Sequence, residues 1–150
     1  TMVGPSYKPA YSSLQKVISL LDPNNEWIRV LGPVGYEEMH QIYETTDLGL
    51  FLSTCENLPI ILLEQLAAKV PTVCSNKMPM PEVAGNSVLY CNPTNYKDVA
   101  KQILSLIESK DLRFDLKGKS LMVAKKYTWE KTAHKTINYL TETCSKKTNY

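Results

Sequence analysis

Two glutamates eight positions apart are the residues whose type and spacing could support ligand chemistry. Glu56 follows an apolar run typical of a buried strand, and Glu64 lies in the helical pattern that begins after Pro59. A carboxylate at the end of a strand and a second one about two helical turns later can face one crevice, with helix-start amides between them. Open α/β sheets bind nucleotides where a strand leads into a helix in this way. The pair therefore predicts a sugar-nucleotide site.

The two carboxylates could perform different tasks on a nucleotide diphosphate sugar. Glu64 could accept two hydrogen bonds from the 2′,3′-diol of a ribose, as acidic residues do in dinucleotide-binding folds. Glu56 lies closer to the expected phosphate position, so charge repulsion favours contact with sugar hydroxyls, which can donate to it. Taken alone, each glutamate is explained more simply as a solvated surface side chain. The functional interpretation therefore depends on the surrounding sequence.

The segments around this pair alternate between strand and helix patterns. Apolar residues at helical spacing alternate with short apolar runs bounded by Gly, Pro and Asn. This order is typical of an α/β fold with a doubly wound, Rossmann-like parallel sheet flanked by helices. Thr94 is predicted to cap the helix that contains Asp98, and the strand at 48–52 to be covered on both faces. The predicted strands cover residues 1–4, 27–31, 48–52, 70–75 and 87–91, and the predicted helices cover 11–21, 37–45, 60–69, two segments within 95–127, and 128–143.

Length and composition favour a single domain. A chain of 150 residues, of which 43% are hydrophobic, can bury a core of ordinary size. We assign residues 1–143 to one sugar-nucleotide-binding domain and residues 144–150 to a polar tail. The sequence contains neither a run of 18 apolar residues nor a signal-peptide pattern. Its four cysteines lack metal-ligand spacing, which is typical of reduced thiols in a cytosolic protein.

Positive charge is concentrated toward the C-terminus, although the net charge is only +2. Eight lysines follow Leu116, against only Glu130 and Glu142. These lysines are spread along helical patterns without arginine forks or interleaved aromatics, which argues against nucleic acid as a partner. A solvated helix face explains them, and peripheral contact with the anionic inner face of a membrane is the alternative. We therefore expect a cytoplasmic protein, with that membrane contact left open.

Motifs of several other enzyme classes are absent from the sequence. It contains no Gly-x-Gly-x-x-Gly, Walker loop, His-Glu-x-x-His or Cys-x-x-Cys motif, and no serine nucleophile elbow. Dehydrogenase, NTPase and zinc-site interpretations therefore lack their main support. His40 has no acidic or cysteine partner at ligand spacing, and His134 lies in the basic last helix. Both histidines are expected in structural or surface roles.

Together, the segments resemble the C-terminal, donor-binding half of retaining GT-B glycosyltransferases of the group 1 type. The similarity covers nearly the whole chain. Its most specific part is a pair of glutamates eight residues apart, followed by a helix rich in Leu and Ala and then by a Val-Pro-Thr-Val strand. Further landmarks occur in the family's order. The stretches that carry the resemblance are 28–34, 37–47, 53–73, 81–83, 92–93 and 126–130.

The resemblance implies a distinct role for each glutamate. It places Glu56 near the donor sugar as the catalytic residue and Glu64 at the nucleotide ribose. The backbone between them would cradle the distal phosphate, and the loop after the strand at 27–31 would line the base. The resemblance implies no metal and no other cofactor, and the substrate would be a UDP- or GDP-linked sugar. The further donor-binding residues that it implies are Asn57, Leu58, Ile60, Ile61, Gly32 and Val34.

The chain departs from the family pattern in a few places. The family often has glycines where Asn57, Leu58 and Pro59 stand, and an alanine where Gln65 stands. Neither change removes a chemical group that the site needs. The family's Arg and Lys, which neutralise the diphosphate, follow a first strand that we expect to be missing here, as is the acceptor-binding N-terminal domain. We therefore expect an enzyme fragment, inactive alone, whose glycan or lipid-linked acceptor binds through the missing domain.

Two other interpretations of the same fold remain open. One is a non-catalytic Rossmann-like module with a binding or regulatory function. The other is a GT-B sugar-nucleotide epimerase. An Arg and a Lys in an upstream strand-to-helix segment would favour sugar transfer over the inert module.

Overall fold

Parallel β-structure occurs in both parts of the chain. The structure is a computed structural model that describes residues 1–147, with side chains described as far as residue 145. It divides into two units, residues 1–42 and the chain from Tyr43 onward.

The first unit pairs two extended segments on either side of a helix. Met2 and Val30 form a parallel bridge, in which the amide of Met2 donates to Arg29 O at 2.7 Å and the amide of Leu31 donates to Met2 O at 3.0 Å. Parallel segments need a long crossover connection, and a helix provides it here. The predicted strand at 27–31 is thus reduced to a single bridge. Helix α1 (Lys8–Leu21) lies wholly in this unit. Helix α2 (Tyr36–Glu44) begins in it, and its last two residues belong to the second unit.

A buried carboxylate closes the loop after α1. Asp22 is 3% exposed, and its side chain accepts hydrogen bonds from the backbone amides of Glu26 at 2.8 Å, Trp27 at 3.0 Å and Ile28 at 2.7 Å. Burial by itself would raise the pKa of Asp22, but the three amide donors outweigh it, and the pKa is lowered. Asp22 therefore fixes the path of the chain into the segment that pairs with Met2.

The second unit contains a three-stranded parallel sheet in the order β1-β2-β3. The strands are β1 (Gly49–Phe51), β2 (Thr72–Ser75) and β3 (Leu89–Cys91). In the central strand, Val73 pairs with Leu50 on one side and with Leu89 on the other. Each connection between successive strands contains at least one helix, as parallel pairing requires. The predicted α/β fold with a parallel sheet is confirmed.

Hydrophobic clusters lie on both faces of the central strand β2. Successive strand residues point to opposite faces. On one face Cys74 packs in a hydrophobic cluster with Leu62 and Leu66, and on the other Val73 packs with Leu106. Both clusters include residues of α6 (Lys110–Ala124), so this helix helps to close the core. The helices that begin in this unit are α3 (Ile60–Ala67), α4 (Met80–Ala84), α5 (Tyr96–Glu108), α6 (Lys110–Ala124) and α7 (Trp129–Lys147).

Asn95, rather than Thr94, caps helix α5. The side chain of Asn95 accepts hydrogen bonds from the amides of Lys97 at 3.1 Å and Asp98 at 3.3 Å. The Thr94 hydroxyl instead donates to the side chain of Asn92 at 2.8 Å. The prediction of Thr94 as the cap is wrong because the helix starts one residue later than that prediction requires. Two amides without intrahelical acceptors are thereby satisfied by one side chain.

Two further details differ from the sequence prediction. Leu50 in β1 is 47% exposed, so this strand is not covered on both faces along its whole length. Helix α7 continues to Lys147, so residues 144–147 of the predicted tail are helical, and residues 148–150 lie outside the described residues. All residues from 129 to 145 are exposed. Within residues 1–147, no helix has the length and apolar content that crossing a membrane requires.

Candidate functional site

The carboxyl ends of the three strands meet at one edge of the sheet. β1 ends at Phe51, β2 at Ser75 and β3 at Cys91. The amide of Asn76 donates to the carbonyl of Cys91 at 2.9 Å, and this hydrogen bond links the carboxyl ends of β2 and β3. Open parallel sheets bind ligands outside this edge. The loop from β1 to α3, which contains Glu56, leaves from the same edge.

The start of α3 follows this loop directly. Pro59 is buried at the cap position and has no amide to donate. The amide of Ile60 donates to Leu58 O at 2.9 Å, and the amide of Leu63 donates to Pro59 O at 3.1 Å, which opens the helical ladder. Amides in a first helical turn lack intrahelical acceptors and favour negative charge. The amide of Ile60 is thus engaged within the loop, and phosphate contact by Ile60 and Ile61 stays a prediction.

Glu64 lies in the second turn of α3 and is half-buried. Its neighbours Leu62 and Leu66 are fully buried, so the helix is fixed against the sheet. The hydroxyl of Tyr43 donates a hydrogen bond to Glu64 Oε2 at 3.0 Å. Partial burial of a carboxylate is favourable only with such partners. The side chain is held in one orientation, and its oxygens retain capacity for further donors.

The loop before α3 carries the remaining predicted residues of this unit. Ser53 Oγ donates to the carbonyl of Cys55 at 3.1 Å, which tightens the turn ahead of Glu56. Glu56 is half-buried, whereas Asn57 and Leu58 are exposed. The predicted residues from 56 to 61 therefore follow one another along the loop and the first turn of α3. Their contacts with a donor stay predictions.

Gln65, where the chain departs from the family pattern, anchors α3 to the sheet. Its side chain is buried, and Thr72 Oγ1 lies 3.3 Å from Gln65 Oε1 and 2.9 Å from the carbonyl oxygen of Val70. A Cβ placed on Gly49 would lie 2.9 Å from both Gln65 Oε1 and Thr72 Oγ1. The glycine in β1 therefore makes room for the long side chain at position 65.

A cavity of about 340 Å³ opens in the first unit beside the loop at Gly32. Gly32 has a φ of 67°, in the left-handed region that favours glycine, and its carbonyl accepts from the amide of Gly4 at 2.8 Å. Cavities of this size hold small ligands. Val34 is half-buried but does not line the cavity, whereas Gly32 does. The lining residues are Gly4, Ser6, Tyr11, Val30, Leu31, Gly32 and Pro33.

Other features of the described residues lie apart from the predicted site residues. A hollow of about 470 Å³ runs along the outer face of α5 and contains none of the predicted site residues. Residues 1–147 contain no cluster of three or more metal-ligating side chains, and metal independence stays a prediction. His40 packs edge-to-face against Tyr36, with ring centroids 5.2 Å apart, and His134 is exposed.

Two of the four cysteines are buried and two are exposed. Burial, reinforced by the charge of Cys91, raises the pKa of Cys74 to about 12. Burial, together with Asp98, also raises the pKa of Cys91. Both groups stay protonated at neutral pH and serve as small core side chains. The exposed thiols are Cys55 and Cys144.

The sequence from residue 1 to residue 120 matches the profile of a family described as glycosyl transferases group 1. The chain belongs to this family. The group 1 resemblance drawn from the two glutamates and their flanking landmarks is confirmed, and retention of configuration stays a prediction.

Relatives of this group 1 chain include both curated proteins and solved structures. The O-antigen chain mannosyltransferase B of Escherichia coli is 31% identical over 112 residues, which are 75% of this chain and 29% of the relative. The structure of Anabaena HepE in complex with UDP superposes with a TM-score of 0.80 at 18% identity, covering 94% of this chain and 40% of that one. Sucrose-phosphate synthase from Thermosynechococcus elongatus gives a TM-score of 0.82 at 14% identity, covering 95% and 38%.

The group 1 chain has the fold of the C-terminal domain of GT-B glycosyltransferases, as predicted. It spans less than a third of the curated mannosyltransferase and about 40% of the solved structures. The comparisons therefore do not establish the activity, substrates or partners of the whole protein.

Sequence reasoning did not identify Tyr43 as part of the site. This residue belongs to the apolar stripe of α2, which is typical of a helix face that packs on a core. A signal was nevertheless present, because a tyrosine in such a stripe carries a hydroxyl that needs a partner when it is buried. Glu64, 21 residues further along the chain, is that partner.

Proposed function

We propose that this chain binds the nucleotide diphosphate sugar donor of a glycosyltransferase, which transfers the sugar to a glycan or lipid-linked acceptor. The observation that carries the proposal is the half-buried carboxylate of Glu64, held by Tyr43 in the helix that follows the carboxyl end of β1. Glu64 accepts hydrogen bonds from the ribose diol, and Glu56 contacts the donor sugar. The family membership supports both roles.

The diphosphate is bound by backbone amides in the first turn of α3. The helix dipole and the orphan amides of that turn stabilise negative charge without any lysine or arginine. The amides of Ile61 and Leu62 precede the first intrahelical hydrogen bond, which starts at Leu63. Asn57 and Leu58 belong to the same phosphate-binding loop. The base-lining role of Gly32 and Val34 rests on the family resemblance.

The chemistry of the donor and of transfer is proposed from the relatives and from the resemblance. The name of the O-antigen mannosyltransferase supports mannose as the sugar, and the UDP in the HepE complex supports a nucleoside diphosphate carrier. UDP and GDP are both candidates for that carrier. Retention of anomeric configuration and independence of metal follow the family resemblance, and the cytoplasmic location follows the reduced state expected of the four cysteines.

Nucleotide titrations of the full-length protein test the role of Glu64. Glu64→Ala should weaken the binding of UDP or GDP, whichever the wild type binds, by about 10- to 100-fold in calorimetry, because hydrogen bonds to a charged group contribute about 1.5–3 kcal/mol. Glu108→Ala removes an exposed carboxylate from the end of α5 and should leave affinity unchanged. Wild-type affinity in Glu64→Ala would remove the ribose assignment.

Turnover measurements test the role of Glu56. Glu56→Gln should retain nucleotide affinity and lower the rate of sugar transfer, since its contact is with the sugar. Unchanged transfer would remove the catalytic assignment. A wild-type protein that binds the donor but transfers nothing would be the non-catalytic module, and one that converts the donor sugar without an acceptor would be the epimerase.

The basic helices α6 and α7 are proposed to contact an anionic membrane surface. Helix α7 is exposed throughout residues 129–145, and Trp129, 82% exposed, is a residue type suited to the lipid interface. Lysines near such a surface are attracted by anionic lipid. Co-sedimentation with vesicles should increase with their content of anionic lipid. Sedimentation indifferent to that content would contradict the proposal.

A further inference from the structure

The hydrogen bond from Tyr43 to Glu64 links two residues of the second unit that lie 21 positions apart in sequence. Tyr43 lies in the last turn of α2, Glu64 lies in the second turn of α3, and both side chains are half-buried. The hydroxyl oxygen of Tyr43 lies 3.0 Å from Glu64 Oε2. Among the described residues, Glu64 has no cation within ion-pairing distance. The phenol therefore orients the carboxylate without neutralising it.

The backbone of Glu64 is already fixed by packing. Leu62 and Leu66, on either side of it in α3, are both fully buried against the sheet. The remaining freedom of Glu64 lies in its three rotatable side-chain bonds, and this freedom opposes ligand binding if it must be lost in the complex. The hydroxyl of Tyr43 restricts these rotations before any ligand arrives.

We propose that Tyr43 is a positioning residue for the nucleotide ribose, because it presets the Glu64 carboxylate for a 2′,3′-diol. This inference rests on the proposed function of Glu64. A carboxylate has two oxygens with about four acceptor positions, so one bond from Tyr43 leaves room for both ribose hydroxyls. Tyr43 itself need not touch the nucleotide.

The experiment compares a ribonucleotide with its 2′,3′-dideoxy analogue, which lacks both hydroxyls, on the full-length protein. Dissociation constants of UDP and 2′,3′-dideoxy-UDP, or of the guanosine pair if that binds, are measured for wild type, Tyr43→Phe and Glu64→Ala. The control is Tyr90→Phe, which removes another hydroxyl of the same unit, one that donates to Gly85 O at 2.6 Å. A general loss of stability changes both affinities alike and cancels in their ratio.

The expected result is a reduced preference for the ribonucleotide in Tyr43→Phe. The preference should fall by about 3- to 10-fold, because Tyr43→Phe leaves the flexible Glu64 side chain to be ordered on binding. The affinity for the dideoxy analogue, which has no hydroxyl to donate to Glu64, should change little. Tyr90→Phe should retain the wild-type preference, and Glu64→Ala should lose it.

Two other outcomes overturn different claims. If Glu64→Ala loses the preference but Tyr43→Phe keeps it, or weakens both nucleotides equally, Tyr43 does not position the ribose, and the proposed function stands. If Glu64→Ala keeps the wild-type preference, the ribose role of Glu64 is wrong, and the inference about Tyr43 falls with it.

Discussion

Replacing Gly49 by alanine should destabilise the protein, although alanine normally suits a strand better than glycine. The new Cβ would lie 2.9 Å from Gln65 Oε1 and from Thr72 Oγ1, and 3.1 Å from Gln65 Cδ, inside the favourable separation of about 3.5–4.0 Å. Overpacking of a buried site costs about 1–3 kcal/mol. Removing the conformational freedom of glycine returns about 0.5–1 kcal/mol. From the midpoints of these two ranges, the free energy of unfolding should therefore fall by about 1 kcal/mol.

Urea unfolding of Gly49→Ala, Gln65→Ala and the double variant measures this effect through the midpoint at an unchanged slope. Gln65→Ala removes two of the three close atoms, so the double variant should lose less than the sum of the single losses, by about 1 kcal/mol. Gly118→Ala is the control, because a Cβ there meets nothing within 4 Å in helix α6, and it should stabilise the protein. Additive losses, or wild-type stability in Gly49→Ala, would refute the steric reasoning.

Two further predictions follow from shifted pKa values. Asp22→Asn should lower the thermal stability at neutral pH, and this deficit should shrink below about pH 4. The reason is that a carboxylate whose pKa is lowered in the folded state adds stability above its unfolded pKa. That stability is lost when the carboxylate becomes protonated. A deficit that is constant with pH would contradict this role of the charge. At about pH 8, a thiol-alkylating reagent should label Cys55 and Cys144 in the native protein, but Cys74 and Cys91 only after denaturation, since burial raises the pKa of the latter two. Mass spectrometry of the labelled peptides checks this, and native labelling of Cys74 would refute it.

The order of the elements could be predicted from local sequence because local signals determine it. The helix predicted at 60–69 begins after a proline and is rich in Leu and Ala, and the structure has it at Ile60–Ala67. The cap of α5 could not be predicted in the same way. Thr94 and Asn95 are both good capping residues, and the choice depends on which side chain reaches the two amides. The exposure of Leu50 likewise depends on which elements lie over β1.

Of the candidate site, the sequence predicts the ligand-binding residues but not the contacts that hold them in place. Glu56 and Glu64 were identified by chemistry, spacing and family resemblance. The partner of Glu64 could not be found this way, because Tyr43 fits an apolar stripe and the contact spans 21 residues of sequence. The role of Gly49 also depends on a contact between β1 and α3 that has no sequence signature.

Glu64, the proposed ribose ligand, and Gln65, a packing residue, are consecutive in α3, and their side chains point in different directions. Adjacent side chains on a helix point about 100° apart, so one rotational setting of α3 places Gln65 against Gly49 and Glu64 against Tyr43. A rotation of α3 that relieved a clash at Gln65 would therefore move Glu64 away from Tyr43. Gly49→Ala should then weaken nucleotide binding as well as stability, and adding Gln65→Ala should recover both together. Recovery of stability without recovery of binding would show that the packing at Gln65 does not control the orientation of Glu64.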